Sequence, residues 1–597
     1  MKMLVMATLL LISAASCSGQ RGAANDSARF ESLMDRLVRD YVRLCPEEGS
    51  QLGLSRQSGY EFDRSALDDA SEQGLQAVAD LYRRYLKELR SVDQARLSDA
   101  QRTDAKILRW LLAMLVEGDR FRDHGYLVNF LYGVHMQMVT LMTEYHAIES
   151  EQDAINYLTR LEKIPARMDQ VAVRLSKQTA AGILPPRVIF DWTMGSMQEF
   201  RGAEPGKNLL VATFRQRLAG VARLDEANRG KYADSAEKIV REQIYPAYDR
   251  FMARLAESRA KADDREGVWK LPKGDQYYRY CLKNNLTTTI DPEKLHQLGI
   301  QQVELLQRRG RAILDSMGIA VPGSYGSLMR EYWSQPAMAD NIYPETSEGR
   351  KQALSDNAAW LDSTWQRLPE AFSYIPKERV AVEAVPPHKE GGGQTYYESA
   401  SQDGSRKATY YINLGQLAGK PPMRVTLYHE TVPGHHFQIA TQHELAGGRM
   451  YRNLFFLSGF GEGWAMYAQA LADELGWCRT PAVRLAEVNS QMFRAVRIVL
   501  DTGIHSKRWT RQRALKYMED NLGWASEAEI NRYIIWPGQA CSYLYGELKI
   551  LELRERARRK LGDRFDMKGF HQTVLRNGSV PLELLEEEVD AYVAAAR

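Results

Sequence analysis

Apolar residues recur at helical spacing through most of the chain. They fall three or four positions apart in four N-terminal stretches: 30–44, 93–115, 153–175 and 235–255. That spacing places side chains on one face of an α-helix, and each stretch is long enough for several turns. Alternating β-branched runs are scarce, so the pattern predicts a mainly α fold.

A Pro/Gly-containing stretch at 267–274 marks a boundary between two helical parts. Beyond it, Asp291-Pro292-Glu293 is typical of a helix start, since Asp caps, Pro suits the first turn and an acid favours the positive helix end. We expect a leader over 1–17, an N-terminal helical region over 18–266 and a second region, which carries the candidate chemistry, over 267–597. The two helical regions are expected to pack as one unit that forms a cleft.

One region departs from helical spacing. Residues 379–385, 394–398 and 408–413 alternate in polarity and are separated by Pro- and Gly-rich loops. Such runs predict a small antiparallel sheet, here directly before a His-rich segment. An exposed strand edge could hold an extended peptide through main-chain hydrogen bonds. A purely structural hairpin fits the same residues equally well.

The N-terminus has the pattern of an export signal. Lys2 precedes an apolar run over 4–12, which is too short to span a bilayer, and small residues then lead to Cys17. This end resembles a bacterial lipobox, although Ala14 replaces the usual leucine. We expect an exported protein of the bacterial cell envelope, periplasmic or on the outer membrane, held to the membrane only through a lipid at Cys17. Plain cleavage after Ala15 or Ser16 is the alternative.

Composition excludes several classes of protein. Among 597 residues, 44% are apolar and 26% charged, which is typical of a globular chain and not of a disordered one. Lys and Arg (79) nearly balance Asp and Glu (76), so no nucleic-acid partner is expected. The five cysteines show no CxxC spacing. We interpret the four beyond Cys17 as buried apolar residues and not as a disulfide framework.

The segment 429–436, His-Glu-Thr-Val-Pro-Gly-His-His, carries the candidate chemistry. Catalytic zinc takes three protein ligands, leaves one position open and works beside a general base. The familiar arrangement is His-Glu-x-x-His on one helix. Here position 433 is proline, and His435 and His436 lie at i+6 and i+7 from His429. On a continuous helix, neither could reach a metal bound to His429.

The helix must therefore be interrupted, and the sequence offers a means. Pro433 cannot donate the hydrogen bond to the carbonyl of His429, and Gly434 tolerates unusual backbone dihedral angles. A bulge of two residues would bring His435 to the place that i+4 normally takes. We expect His435 to be the second ligand, with His436 as the alternative.

The third ligand is expected from the apolar stretch 456–475. Glu462 lies 33 positions after His429, which leaves room for a turn and an antiparallel return. It shares a helical face with Met466 and Gln469. A carboxylate among apolar residues needs a partner, and a metal ion is a suitable one.

Motifs in the same order along the chain resemble the DUF885 family, a set of mostly bacterial proteins, often lipoproteins. The matching motifs lie at 267–274 with 277–278, and at 287–289, 403–406, 429–438, 462–467, 501–505 and 533–540. The resemblance covers most of the mature chain and is clearest from residue 267 onward. The family often has glutamate where this chain has Gln469, which puts a supporting role of that position in doubt.

The resemblance implies a zinc metallopeptidase related to the gluzincins. It also implies a helical, deep-cleft architecture similar to that of the angiotensin-converting-enzyme and thimet-oligopeptidase groups. Those groups stabilise the oxyanion with a downstream His or Tyr, and His505, Tyr533 and Tyr543 stand in comparable order. Arg494, Arg497 and Arg532 could bind a substrate carboxylate in bidentate fashion, or could be structural.

These observations predict zinc-dependent hydrolysis of peptide bonds, with short peptides as the expected substrates. Zn²⁺ is expected on His429, His435 and Glu462, with Glu430 as the general base. Two alternative functions fit the same residues: a zinc hydrolase of a non-peptide amide or ester, and a binding lipoprotein with a vestigial metal site. A structural zinc fits less well, because three ligands leave a position open.

Overall fold

The computed structural model describes residues 26–54, 58–319, 322–386, 390, 394–415, 417–445 and 449–596. The fold is mainly α, as the apolar spacing predicts. The helices before the sheet are α1 (26–44), α2 (Pro46–Gln51), α3 (Glu72–Arg90), α4 (Asp99–Gly118), α5 (Val134–Thr140), α6 (Glu151–Ala180), α7 (Arg187–Gly202), α8 (Leu209–Leu218), α9 (Glu226–Ile239), α10 (Tyr245–Arg259), α11 (Gly274–Leu286), α12 (Pro292–Ser316), α13 (Tyr325–Ser334) and α14 (Ser347–Arg367).

Three short strands follow: β1 (Ala381–Ala384), β2 (Tyr396–Glu398) and β3 (Thr409–Ile412). The helices after the sheet are α15 (Lys420–Glu430), α16 (His435–Leu445), α17 (Ser458–Glu474), α18 (Pro481–His505), α19 (Arg511–Leu522), α20 (Glu527–Ile535), α21 (Ser542–Leu561), α22 (Met567–Leu575) and α23 (Leu582–Ala595).

The predicted strands exist, but their sheet is mixed and not fully antiparallel. The strand order is β1-β3-β2. The hairpin partners β2 and β3 are antiparallel, whereas β1 and β3 are parallel. The reason is that β3 inserts between the two earlier strands instead of adding outside them. Both β1 and β2 are therefore edge strands.

Helix starts follow the local sequence. The Asp291 side chain accepts a hydrogen bond from the Glu293 N–H at 2.9 Å and caps α12, as predicted. In α4, Ser98 and Gln101 form a reciprocal capping box. The predicted stretch 235–255 is divided between α9 and α10, with a π-helical turn at Val240–Ile244 between them.

The apolar interior consists of three clusters of buried side chains. One joins α1, α3 and α4 to α15, α17 and α21–α23. A second lies around α11–α13 and α18–α20, and a third lies within α5–α10. The first cluster crosses the boundary that the sequence suggested near residue 267. The first helices of the chain thus share a core with its last ones, and the two regions pack together.

Helices α17 and α21 cross at unusually short range because glycines face each other. A Cβ on Gly463 would lie 2.5 Å from the Cα of Gly546, and one on Gly546 would lie 2.1 Å from the carbonyl oxygen of Gly459. Real Cβ atoms do not approach so closely, so the crossing requires glycine at both positions. It fixes the N-terminal half of α17, which carries Glu462.

Two carboxyl groups are buried together beside this crossing. Glu487 of α18 and Glu547 of α21 are 1% and 0% exposed. Glu547 accepts a hydrogen bond from the Gln491 amide, whereas neither carboxyl oxygen of Glu487 has a partner among the described residues. Burial, and then the charge of Glu547, raises the pKa of Glu487 to about 8. Burial raises the pKa of Glu547 to about 7.

The four cysteines of the described chain, Cys45, Cys281, Cys478 and Cys541, are buried thiols, as the sequence predicts. Among the described residues, no helix combines the length and apolar character needed to cross a bilayer. The expected leader and the lipidated Cys17 lie outside the described residues.

The buried carboxyl pair predicts a pH-dependent stability. An unfolded glutamate titrates near pH 4.3 (about the value in model peptides), so the folded protein binds more protons than the unfolded one from there to about pH 8. Stability should fall as pH rises through this window. Glu487→Gln should flatten that fall and raise Tm at pH 8 while leaving Tm at pH 4.5 nearly unchanged, as measured by calorimetry.

The matched control is Glu552→Gln, also on α21, whose side chain is 56% exposed. It should keep the wild-type dependence of Tm on pH. A Glu487→Gln protein with the wild-type dependence would contradict the assignment.

Candidate metal centre

The segment 429–436 is interrupted, as the sequence predicts. Helix α15 ends at Glu430, and α16 begins at His435. Between them Thr431 closes α15, since its N–H and its hydroxyl both donate to the Leu427 carbonyl, at 2.9 and 2.6 Å. The result is two helices joined by four residues, instead of one bulged helix.

Gly434 is required for a reason different from the one expected. Its φ does not lie in the left-handed region, so conformational freedom is not what it supplies. A Cβ there would lie 1.9 Å from the carbonyl oxygen of His429, which no other residue could accommodate. The Val432–Pro433 bond is cis, and the Trp464 indole N–H donates to the Pro433 carbonyl at 2.8 Å. The connector is thereby fastened to α17.

Three side chains converge beside this connector: His429, His435 and Glu462. The Glu462 Oε2 atom is 3.5 Å from His429 Nε2 and 3.3 Å from His435 Nε2. One candidate ligand atom from each residue lies within 4.8 Å of the other two. Ligands of a tetrahedral zinc with bonds near 2.1 Å stand about 3.4 Å apart. The donor types and their spacing therefore fit that ion.

A hydrogen bond on the side of the His429 ring that faces away from Glu462 fixes its tautomer. Its Nδ1–H donates to Gln469 Oε1 at 3.0 Å, and the Gln469 amide in turn donates to Ser490 Oγ at 2.9 Å. This arrangement leaves Nε2 unprotonated and directed at Glu462. Metal-binding histidines are commonly oriented in this way by an acceptor on the other ring nitrogen. The amide oxygen of Gln469 thus takes the position that the family often gives to glutamate.

Two buried polar atoms of the centre make no hydrogen bond within the described part of the chain. Among the described residues, Glu462 Oε2 and His435 Nδ1 have no hydrogen-bond partner. Burial opposes ionisation of Glu462, but the adjacent imidazoles of His429 and His435 outweigh it and lower the pKa of this carboxyl. Burial lowers the pKa of His429, whereas Glu462 outweighs burial at His435 and raises its pKa. An orphaned carboxylate oxygen facing two imidazoles suits a bound cation.

Glu430 follows His429 directly and reaches the strand edge. Its Oε2 accepts a hydrogen bond from the Tyr397 backbone N–H of β2 at 3.0 Å. The residue is only partly buried, and Oε1 is left for other partners. The predicted use of this edge for an extended peptide is therefore restricted, because the outward amide of Tyr397 is already engaged.

His436, the alternative ligand, points away from the cluster. Its ring nitrogens lie 3.2 Å from the Tyr397 hydroxyl and 3.0 Å from the Glu378 carbonyl. The side chain is fully buried. Because both of its ring nitrogens are engaged, His436 is a structural residue next to β2. His435 is the histidine that the fold brings close to His429.

The geometry does not support the expected oxyanion role of His505. Its Nδ1 accepts from the Val268 N–H at 3.2 Å, and its Nε2–H donates to the Tyr533 carbonyl at 2.9 Å. The ring is fully buried and has no donor left for a substrate. Its neighbour Asp501 accepts from the Tyr278 hydroxyl and the Gly538 N–H. This motif ties α18 to α11 and to the loop after α20.

The two candidate tyrosines differ. The Tyr533 hydroxyl donates to Glu529 at 2.7 Å, and this side chain is buried, so it is not available as an oxyanion donor. Tyr543 stacks beside His429, with ring centroids 6.3 Å apart. Its hydroxyl accepts hydrogen bonds from Arg532 and Gln539, at 3.3 and 3.4 Å, and so retains its own proton to donate.

The three candidate arginines surround Tyr543. Arg532 also donates to Gln539 at 2.7 Å, which makes it a support for the loop at 536–541. The guanidinium carbons of Arg494 and Arg497 lie 5.8 and 4.3 Å from the Tyr543 ring centroid. Both arginines thus contact a ring that itself contacts His429 of the candidate cluster.

Two neighbours of the site were not singled out from the sequence. One is the Tyr397 amide, whose strand was predicted but whose pairing to Glu430 depends on how β2 lies against α15. The other is Phe456, which is 55% exposed and 6.4 Å from His435 between ring centroids. An exposed phenylalanine next to a polar cluster is visible only once the fold is known.

Comparisons with known proteins agree with this architecture. A "putative lipoprotein" from Colwellia psychrerythraea is similar, with a TM-score of 0.91 and 27% identity over 96% of this chain and 100% of that one. A "putative lipoprotein of unknown function" from Shewanella oneidensis shares the fold, with a TM-score of 0.70 and 16% identity over 94% and 99%. No curated protein matches the sequence significantly.

The family comparison covers nearly the whole of the described chain. Residues 46–589 match the model described as "Bacterial protein of unknown function (DUF885)". The matched range contains all three residues of the cluster, Glu430 and Tyr543. The resemblance noted from the motifs is thereby confirmed at the level of the family, and the chain belongs to DUF885.

Proposed function

We propose that the protein is a zinc-dependent hydrolase of peptide bonds, with His429, His435 and Glu462 as the metal ligands. The observation that carries the proposal is the convergence of two imidazoles and an orphaned carboxylate oxygen directly beside Glu430. Two histidines and a glutamate form a ligand set that leaves a coordination position open in catalytic zinc sites. A zinc ion held there supplies Lewis acidity, which lowers the pKa of water and polarises a carbonyl group.

Glu430 is the proposed general base. The Tyr397 N–H holds Oε2, which leaves Oε1 to take a proton from water as the water oxygen attacks the substrate carbonyl carbon. As the C–N bond breaks, the same carboxyl returns that proton to the leaving nitrogen. The products are a carboxylic acid and an amine, so that no further reactant is needed.

Tyr543 is the proposed donor to the oxyanion. Its hydroxyl proton is not used in its two hydrogen bonds, and its ring stacks beside the metal ligand His429. A donor fixed in advance stabilises the charge that develops on the carbonyl oxygen without reorganisation. Arg532 and Gln539 hold the hydroxyl in place.

The first test concerns the base. Glu430→Gln keeps the shape of the side chain but cannot accept the proton, so peptide hydrolysis should fall by about 10²- to 10⁴-fold while zinc content and Tm stay near wild type. Cleavage of a peptide library is followed by mass spectrometry, with ester and non-peptide amide substrates assayed in parallel. Glu383→Gln, an exposed position on β1, is the matched control.

Full activity in Glu430→Gln would refute the mechanism. Cleavage of esters or non-peptide amides alone would show that the substrates are not peptides. Stoichiometric zinc without any hydrolysis would favour a binding protein.

The second test separates the two neighbouring histidines. His435→Ala should lose bound zinc in plasma emission measurements after dialysis, because the cluster keeps only two ligands. His436→Ala should retain zinc and lose stability instead, because its bonds to Tyr397 and Glu378 are buried. Full zinc occupancy in the His435 variant would overturn the ligand assignment.

The third test concerns the support behind His429. Gln469→Ala removes the acceptor of the Nδ1–H and should weaken zinc binding by about 10- to 100-fold in chelator competition. Gln469→Glu restores an acceptor and should bind zinc at least as tightly as wild type. Equal affinity in the alanine variant would show that this hydrogen bond does not orient the ligand.

A further inference from the structure

Two cations, a partly buried Arg494 and a buried Arg497, lie near the proposed metal-ligand cluster. Arg494 and Arg497 are three positions apart on α18, so their side chains share one face. The Arg497 side chain is 3% exposed. Burial, and then the neighbouring charge of Arg497, lowers the pKa of Arg494. Two like charges at such a spacing destabilise a helix, and more so when buried.

Their donors are incompletely used. Among the described residues, Arg494 Nε and the Nε and Nη2 atoms of Arg497 are buried without a hydrogen-bond partner. The one carboxylate paired with Arg497, Glu529, lies 4.0 Å away and accepts its hydrogen bond from Tyr533 instead. Unsatisfied buried donors on a charged group are costly, which indicates that an anion completes the arrangement.

Side chains that neighbour the candidate site also contact the two arginines. Arg494 Nη1 donates to Ser490 Oγ at 3.0 Å, the same hydroxyl that orients Gln469 behind His429. The charges of Glu462 and Glu430 act on Arg494, partly offsetting the effect of burial on its pKa. Tyr543 lies between the arginines and His429. Each arginine and the His429 ring lie within 6.3 Å of the Tyr543 ring centroid, so an anion bound here would be within about three extended residues, at about 3.5 Å each, of a carbonyl group at the proposed metal site.

We propose that Arg494 and Arg497 bind a carboxylate of the peptide substrate, and that this carboxylate fixes which bond is cleaved. The proposal rests on the peptidase function proposed above. A planar guanidinium matches a carboxylate through two parallel hydrogen bonds, and two such groups on a rigid helix define its position. The carboxylate can be the C-terminus, which makes the enzyme cleave at a fixed distance from the chain end, or an Asp or Glu side chain.

The activity test compares N-acetylated pentapeptides with a C-terminal acid or carboxamide, each made with and without a penultimate Glu. Wild-type enzyme loaded with zinc should cleave the acid form with a kcat/KM about tenfold or more above that of the carboxamide, since a charge-assisted pair is lost. Cleavage sites read by mass spectrometry should lie at one fixed position within about three residues of the C-terminus. Carboxamides cleaved only when they contain Glu would support the arginine pair with the side chain as the source.

Variants then assign the preference to the arginines. Arg494→Met should abolish the difference between acid and carboxamide, and Arg494→Lys should keep part of it, because lysine retains the charge but not the fork. Arg484→Met is the control on the same helix, where the side chain is 56% exposed. Tm measurements identify any variant that fails to fold. The comparison of acid and carboxamide substrates with the wild-type enzyme does not depend on any variant.

A binding measurement separates this proposal from the function on which it rests. Zinc-loaded Glu430→Gln protein is titrated in a calorimeter with acetyl-Ala-Phe as the acid and as the amide. Tighter binding of the acid, lost in the double variant with Arg494→Met, supports the carboxylate site even if no peptide is hydrolysed. Equal binding of both forms, or equal cleavage of both with the Arg494 variants unchanged, overturns the proposal while leaving the hydrolase function intact.

Discussion

The close approach of two backbone segments at Gly434 determines the rest of the site. The glycine lies against the carbonyl oxygen of His429, at a distance where any Cβ would overlap it. Only this contact allows α16 to start where it does and so return His435 to the ring of His429. With a side chain at 434, the connector would have to move away, and the two histidines would separate.

The surrounding helices hold that connector from several sides. The Trp464 indole N–H of α17 donates a hydrogen bond to the Pro433 carbonyl of the connector. The glycine crossing with α21 fixes the half of α17 that carries Glu462. Helix α18 contributes Ser490, whose hydroxyl oxygen accepts hydrogen bonds from the Gln469 amide, which orients His429, and from Arg494. One hydroxyl therefore links the orientation of His429, a proposed metal ligand, to the position of the Arg494 cation.

The sequence predicted the helical fold, the interruption after Glu430 and the residues that come together. Each of these follows from a local rule, such as apolar spacing, a proline that cannot continue a helix, or a carboxylate misplaced in an apolar stretch. What it missed depends on packing between distant segments. The parallel pairing of β1 with β3, the backbone contacts that occupy His505 and the bond from Tyr533 to Glu529 have no local signal. The sequence suggests conformational freedom as the reason for Gly434, whereas the close approach of the His429 carbonyl is what requires glycine there.

The hydrogen bond between Tyr397 and Glu430 has a consequence for how the molecule meets other chains. An edge strand usually offers its outward amides to any extended segment, which is a route to unwanted association. Here a carboxylate from α15 already occupies the central outward amide of β2. A foreign strand could add to this edge only by displacing a negative charge from its donor. The residue proposed to move protons in the reaction is thus also what closes the sheet.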